Sequence, residues 1–359
     1  MSRSAFATIH LGALRHNLER VRTLAPKSRV MAVIKADGYG HGLERVARAL
    51  SGADAFGVAA IADGQRLRAA GIDHRIVVLS GIDEAGDLLE VRRLGLDIVV
   101  HHDHQIALIT ADPDPRPLRI WLKIDTGMHR LGFDPTRTTA LLAQLRALAN
   151  VHDDIVLMSH FARSDEPADA ATTQQLARFA AAGATALPHS IANSAAIVHF
   201  ADARTDWVRA GGALYGLSVE HDRCGADDGF RPAMSLSSKL IAINRVAKGE
   251  RVGYGGSYAC PDDMAVGVVA IGYGDGYPRS AATGTPVRLN GRDARIIGRV
   301  SMDLMMIDLR DHADANINDR VLLWGRDLPV ERIAAAAGTI SYELTCGITR
   351  RVMFLEDDT

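Results

Sequence analysis

Lys35 ends an apolar run of strand type, Val30 to Ile34, and the loop ADGYGHG follows at once. A lysine so placed is either an ordinary charge reaching solvent or a desolvated amine, whose lowered pKa would make it a nucleophile or a base. Other polar residues fall at comparable places. Lys123 lies near the end of the run LRIWLKIDT, His160 ends IVLMSHF, and Asn193 and Ser194 end PHSIANS. Arg209 precedes Gly211 and Gly212 in WVRAGGALY. The Ser194 hydroxyl and bare backbone N–H groups at Gly211 and Gly212 are the donors a phosphate dianion wants. A phosphate anchor opposite a buried lysine is what pyridoxal phosphate requires, one end hydrogen-bonded and the aldehyde held covalently. Each residue also has a plainer reading. His160 could be a satisfied strand-end histidine, Asn193 and Ser194 a helix cap, the glycines simple turn residues, and Arg209 part of a structural ion pair.

The elements that would have to position these groups can be read from hydrophobic period. Eight strand-like runs, at 29–36, 55–61, 75–80, 96–102, 118–126, 155–161, 188–194 and 207–215, alternate with amphipathic stretches such as LERVARALSG and GQRLRAAG. This pattern predicts an N-terminal (β/α)8 TIM-type barrel, whose active-site face is built from the C-terminal ends of the strands. An open doubly wound sheet is the rival, but no G-x-G-x-x-G follows the first strand. Beyond residue 230 strand patterns broken by glycine, Asp and Asn turns predict a mostly-β C-terminal domain over 230–359, with a hairpin at Asn290–Gly291. The polar stretch GADDGFRPA (225–233) reads as the linker. The barrel is therefore placed at 1–229, with residues 1–12 a candidate for pairing with the β domain.

Composition narrows the function classes. The chain has 359 residues, 47% hydrophobic, and a net charge of −2 with both signs interspersed, which argues against a nucleic-acid partner. Cys224, Cys260 and Cys346 are widely separated and odd in number, which fits a reducing compartment and no zinc site. The N-terminal stretch lacks a signal-peptide core, and no apolar run approaches the ~20 residues of a membrane span. A soluble cytoplasmic protein is the expectation, with no membrane partner. The cluster His101, His102 and His104 has liganding chemistry, but HHDH at a strand end reads as a solvated turn, and no metal is assigned.

The run AVIKADGYGHG resembles the pyridoxal-lysine signature of alanine racemases. The resemblance continues in order through LKIDTGMHRLG (122–132), SHFARSD (159–165), HSIANSAA (189–196) and VRAGGALYGLS (208–218). It extends through GERVGYGGSY (249–258), IGYGDGYPR (271–279), GRVSMD (298–303) and TISYEL (339–344), spanning almost the whole chain. It implies a pyridoxal-phosphate-dependent amino-acid racemase, an isomerase that interconverts L- and D-alanine by two-base proton transfer and supplies D-alanine for peptidoglycan. Lys35 would form the Schiff base with the cofactor and serve as the base toward D-alanine. Tyr254 would be the opposite base, supplied by the partner subunit of a homodimer with shared active sites, and tuned through His160 and Arg209.

The same resemblance assigns the phosphate to Tyr39, Ser194, Gly211, Gly212 and Tyr342, places Asn193 among the cofactor contacts, and sets Arg209 against the pyridine nitrogen. Substrate binding falls to Arg130 and the backbone N–H of Met302. Lys123 is a carbamylation candidate that would orient Arg130; unmodified, the two cations would need a counterion such as Asp303. Asp165, Tyr273, Arg279 and Arg299 match the entrance. Ser301 stands where cysteine is common in the family, and Ala210 and Gly212 stand where proline and a branched aliphatic are usual, so the phosphate loop is less preorganised. Two rivals share the scaffold: a decarboxylase of basic amino acids, expected to bring a carboxylate where Arg209 lies, and a broad-spectrum racemase, whose secreted members carry signal sequences. A pyridoxal-binding protein without turnover is the third, typically a barrel alone.

Overall fold

The computed structural model describes residues 4–183, 186–220 and 222–358. The chain divides into two compact units, Asn17–Leu214 and a second made of Met1–His16 with Tyr215–Thr359. The second unit thus takes in the segment 215–229, where the sequence reading put its boundary at 229–230.

The first strand, β1 (Phe6–His10), belongs to the second unit. Next come β2 (Arg29–Val33), β3 (Ala55–Val58), β4 (Ile76–Val78), β5 (Asp97–Val100), β6 (Ile120–Lys123), β7 (Val156–Met158), β8 (His189–Ser190) and β9 (Trp207–Ala210), which close into a barrel in chain order. Neighbouring strands pair in parallel, and β2 meets both β3 and β9 to complete the ring. Parallel pairing requires a crossover between strands, and helices such as Leu43–Ala49, Ile61–Ala69 and Ala85–Leu94 supply it.

Alternation decides what fills the ring. Met31, Ala55, Val77, Val99, Trp121, Val156, Met158 and Trp207 form one buried cluster, in which Trp121 and Trp207 meet edge to face at 5.2 Å. The barrel is therefore a packed core and not a pore. Its strands are shorter than the apolar runs of the sequence, because the last residues of each run leave the ladder. Lys35 stands two residues past Val33, His160 two past Met158, and Asn193 three past Ser190. Those departures, all at C-terminal strand ends, build the mouth.

The second unit continues with β10 (Met234–Val246), β11 (Arg251–Val252), β12 (Tyr258–Ala259), β13 (Met264–Val269), β14 (Pro286–Leu289), β15 (Arg292–Ile297), β16 (Met305–Asp308), β17 (Arg320–Trp324) and β18 (Met353–Asp357). Seven of these strands, with β1, form an eight-stranded sheet ordered β13-β16-β15-β14-β17-β10-β1-β18 once the β11–β12 ribbon is set aside. Strand β1 runs antiparallel to β10 and parallel to β18; residues 1–3 of that segment lie outside the described residues. The hairpin β14–β15 turns on Asn290 (φ 48°) and Gly291 (φ 81°), the left-handed pair that an Asn-Gly turn needs. Among the described residues no helix is long and apolar enough to cross a membrane.

Candidate active site

Arg209 enters the barrel from β9 and is buried. Its Nη1 donates to the Ser190 carbonyl and to Ser190 Oγ, both at 2.8 Å. Its Nη2 donates to the Ser159 carbonyl at 2.6 Å, to the Ile191 carbonyl at 3.3 Å, and to His160 Nδ1 at 3.1 Å. Among the described residues no carboxylate pairs with it, which removes the structural ion pair as its explanation. Burial lowers its pKa to about 10, so the group stays charged at neutral pH. Burial first, then the charge on Arg209, hold His160 well below the usual histidine range. The imidazole is therefore neutral. Since Arg209 can only donate, Nδ1 accepts and the ring proton sits on Nε2.

Lys123 is the last residue of β6 and is buried. Burial, then Arg209 and Arg130, push its pKa down to about 8. The loop after it is pinned by one carboxylate: Asp125 Oδ1 accepts the N–H groups of Gly127 at 2.8 Å, Met128 at 3.0 Å and His129 at 3.1 Å. These three bonds hold Asp125 below the usual carboxylate range against the opposing effect of burial. The loop returns through Phe133 N–H on the Lys123 carbonyl at 3.0 Å. Gly132 packs so tightly that a Cβ would stand 2.7 Å from Asp125 N. Arg130 sits on this loop, exposed, and without an ion pair among the described residues. Asp125 was missed in the sequence reading; an Asp followed at two residues by glycine is the turn signal that could have found it.

Lys35 differs from expectation, being exposed on the single chain and not desolvated. The reason is the backbone after β2. Ala36 (φ 53°), Asp37 (φ 54°), Gly38 (φ 64°) and Tyr39 (φ 53°) are four successive left-handed residues. Each non-glycine there costs roughly 1–2 kcal/mol, so the turn has to be held from outside. Asp37 Oδ1 does this, accepting Leu43 N–H at 3.2 Å and Arg66 Nη2 at 2.8 Å. The turn carries the Tyr39 phenol to Gly211, where a Cβ would lie 2.5 Å from its oxygen. Lys35 also acts electrostatically on Lys123 and His160.

Ser194 Oγ accepts the N–H groups of Gly211 at 2.9 Å and Ala213 at 3.3 Å. Asn193 and Ser194 do not end a strand; Asn193 Oδ1 caps the short helix Ser194–His199 through Ala196 N–H at 3.0 Å and accepts from Ser164 Oγ at 2.8 Å. The plainer cap reading thus holds for Asn193. The Gly211 N–H is taken by Ser194 Oγ and is not the bare donor expected, but the Ser194 and Tyr39 hydroxyls there, with no room for a Cβ, fit a phosphate, and the buried Arg209 fits a ring nitrogen. The donor set therefore suits pyridoxal phosphate. Gly212 is buried beside this group, while Asp165 is exposed on a turn of the same unit.

In the β unit, Tyr254 lies in a 3-10 turn, Tyr254–Gly256, and not on a strand, because Gly253 (φ 71°) and Gly255 (φ 72°) break the extended run. The residue is 71% exposed. The Arg299 guanidinium packs on this turn, 3.0 Å from where a Gly255 Cβ would be, and Arg251 Nη1 donates to the Gly256 carbonyl at 2.6 Å. Met302 is 51% exposed and its N–H makes no hydrogen bond among the described residues. Tyr273 and Arg279 are exposed, and Tyr342 is half-buried in the helix Ser341–Cys346. Asp303 pairs with Arg351.

Residues 9–219 match the family model described as alanine racemase, N-terminal domain, and residues 233–355 match alanine racemase, C-terminal domain. The alanine racemase of Nitrosococcus oceani is 48% identical over 346 residues, covering 96% of this chain and 97% of that protein. The biosynthetic alanine racemase from Pseudomonas aeruginosa superposes with a TM-score of 0.96 at 41% identity over 99% of each chain. The alanine racemase from Bartonella henselae, solved with covalently bound pyridoxal phosphate, superposes at 0.89 with 25% identity, again over 99% of each chain.

Proposed function

Because this chain belongs to the alanine racemase family, we propose that it interconverts L- and D-alanine with pyridoxal 5'-phosphate, in a homodimer, and supplies D-alanine for peptidoglycan. The observation that carries the reading is Arg209, charged, buried, bonded to main-chain carbonyls and a neutral histidine, and facing no carboxylate among the described residues. Bound here, the cofactor would supply an electron sink that acidifies the substrate Cα–H. Lys35 would hold it covalently, Tyr39, Ser194, Gly211, Gly212 and Tyr342 its phosphate, with Asn193 and His160 beside it. An arginine can only donate, so a ring nitrogen facing Arg209 stays unprotonated. That weakens the sink and favours return of the proton to Cα over side reactions such as transamination. It also speaks against the decarboxylase alternative.

Lys35 Nζ takes the Cα proton from D-alanine, and Tyr254 Oη takes it from L-alanine on the opposite face. Arg130 and the Met302 N–H bind the substrate carboxylate. Lys123, pushed down to about 8, is neutral often enough to take up CO2, and the resulting carbamate would orient Arg130. Exposure of Tyr254 and Met302 on the β unit is what a site completed by a second copy calls for. Asp165, Tyr273, Arg279 and Arg299 line the entrance in this proposal. A cytoplasmic setting belongs to it too.

Exchange of the α-proton in heavy water, started from each enantiomer separately, tests the reading. Wild type should exchange and invert both; Tyr254→Phe should lose α-proton exchange from L-alanine by about 100-fold or more while Lys35 still exchanges D-alanine, and racemisation should fall equally in both directions, because the enantiomers are equally stable. Wild type that binds the cofactor yet exchanges neither enantiomer would refute the activity. A variant that racemises normally would leave Tyr254 as packing alone.

A further inference from the structure

Three segments of the β unit that carry site residues converge on one guanidinium. Tyr273 N–H donates to the Ser301 carbonyl at 3.0 Å, and Gly274 N–H donates to the Met302 carbonyl at 2.8 Å. Gly272 presses on the same loop, since a Cβ there would run into the Ser301 and Met302 carbonyls. Thr349, just past the Tyr342 helix, donates from N–H to the Asp275 carbonyl at 3.1 Å and from Oγ1 to the Gly274 carbonyl at 3.0 Å. At the junction, Arg351 Nε stands 3.1 Å from Asp275 Oδ1, whose side chain is 1% exposed, and its Nη2 bonds the Asp303 carboxylate. The other Asp275 oxygen accepts Gly272 N–H at 3.1 Å. Asp303 follows Met302 directly, and the Met302 N–H is left pointing to no partner among the described residues.

We propose that Arg351 is a positioning residue which clasps the Tyr273 and Met302 loops through Asp275 and Asp303. The clasp fixes the Met302 N–H for the substrate carboxylate and the Tyr273 ring for the side-chain gate. This rests on the reading of Met302 as a substrate contact. A buried carboxylate and an exposed one, 28 residues apart in sequence (275 to 303), are bridged by one guanidinium, through an ion pair to Asp275 and an Nη2 hydrogen bond to Asp303, two contacts that a compact ammonium does not reproduce together. Without the bridge the loops keep their backbone bonds but lose the side-chain tie that sets their relative height.

The test uses the full-length holoenzyme with Arg351→Lys and Asp303→Ala. Both should raise KM for alanine about 5- to 10-fold with kcat within about 2-fold, the pattern of lost binding and not lost chemistry. Hydrogen exchange at the Tyr273 and Gly274 amides should speed up about 10-fold in both, since local opening would no longer be opposed by the clasp. Arg292→Ala, which removes an exposed pair with Asp314 on the hairpin, should change neither. If Arg351→Lys fails to fold because Asp275 is left buried and poorly paired, Asp303→Ala decides, as it leaves the buried pair intact. Folded Asp303→Ala with wild-type KM or wild-type amide protection would overturn the clasp. Wild type without alanine racemisation would bring down the underlying activity, and the proposal with it, and that failure is visible before any variant is measured.

Discussion

Lys123 is the residue whose physics can be read with least help from its partners. Its pKa in the folded chain is about 8, against an ordinary value of 10.5, and burial is the main cause. Between these two values the unfolded chain binds more protons than the folded one, so this lysine makes stability rise with pH through that window. Below pH 8 both states are protonated and the whole penalty is present. At 1.36 kcal/mol per unit it amounts to about 3 kcal/mol at most. Lys123→Met should therefore be more stable than wild type at pH 7 in CO2-free buffer, by up to about 3 kcal/mol in denaturant titrations. The gap should close as pH climbs from 8 toward 10.5, and bicarbonate should narrow it at pH 7 if the wild-type amine takes up CO2. A variant less stable than wild type across that range would show that Lys123 is satisfied in its unmodified, charged form.

At the scale of elements, one glycine-dependent contact helps set the mouth of the barrel. Gly211 leaves room for the Tyr39 hydroxyl where any Cβ would stand 2.5 Å away. The phenol is the far end of a side chain that can swing, so Gly211→Ala should leave the melting temperature within a few degrees of wild type. Displacing Tyr39 from the phosphate donors should weaken pyridoxal phosphate binding about 10-fold or more, read by fluorescence titration. Unchanged affinity would remove Tyr39 from the phosphate site. The barrel strands were legible because Met31, Val77, Val99 and their equivalents recur in short apolar runs, and the Asn290–Gly291 hairpin because its turn demands that dipeptide. The left-handed turn was not: Gly38 signals it, but Ala36 and Asp37 carry no left-handed preference strong enough to read, and Asp37 is held by Arg66, 29 residues away. The exposure of Lys35 follows from that turn and was hidden with it. Gly253 and Gly255 bend the segment of Tyr254 into a 3-10 turn, which the strand patterns of this region do not signal. Arg351 could not be found at all, since its meaning lies in Asp275 and Asp303, which are 76 and 48 residues away in sequence.

For the whole molecule, the proposed dimer turns on how the candidate site residues divide between the two units. The barrel unit holds Lys35, His160, Ser194, Arg209 and Gly211, while the β unit holds Tyr254, Met302 and Tyr342. An active site that needs one residue from each of two chains can be complemented, and one made by a single chain cannot. Lys35→Ala and Tyr254→Phe, each purified alone, should racemise alanine at a small fraction of the wild-type rate. Unfolded together, refolded and loaded with pyridoxal phosphate, an equal mixture should form hybrid dimers in half of its assemblies. One of the two sites in each hybrid then combines an intact Lys35 with an intact Tyr254. Racemase activity near about a quarter of wild type per chain is the predicted result. Activity that stays at the level of the separate variants, with dimers confirmed by sedimentation, would contradict a site built from Lys35 of one chain and Tyr254 of another.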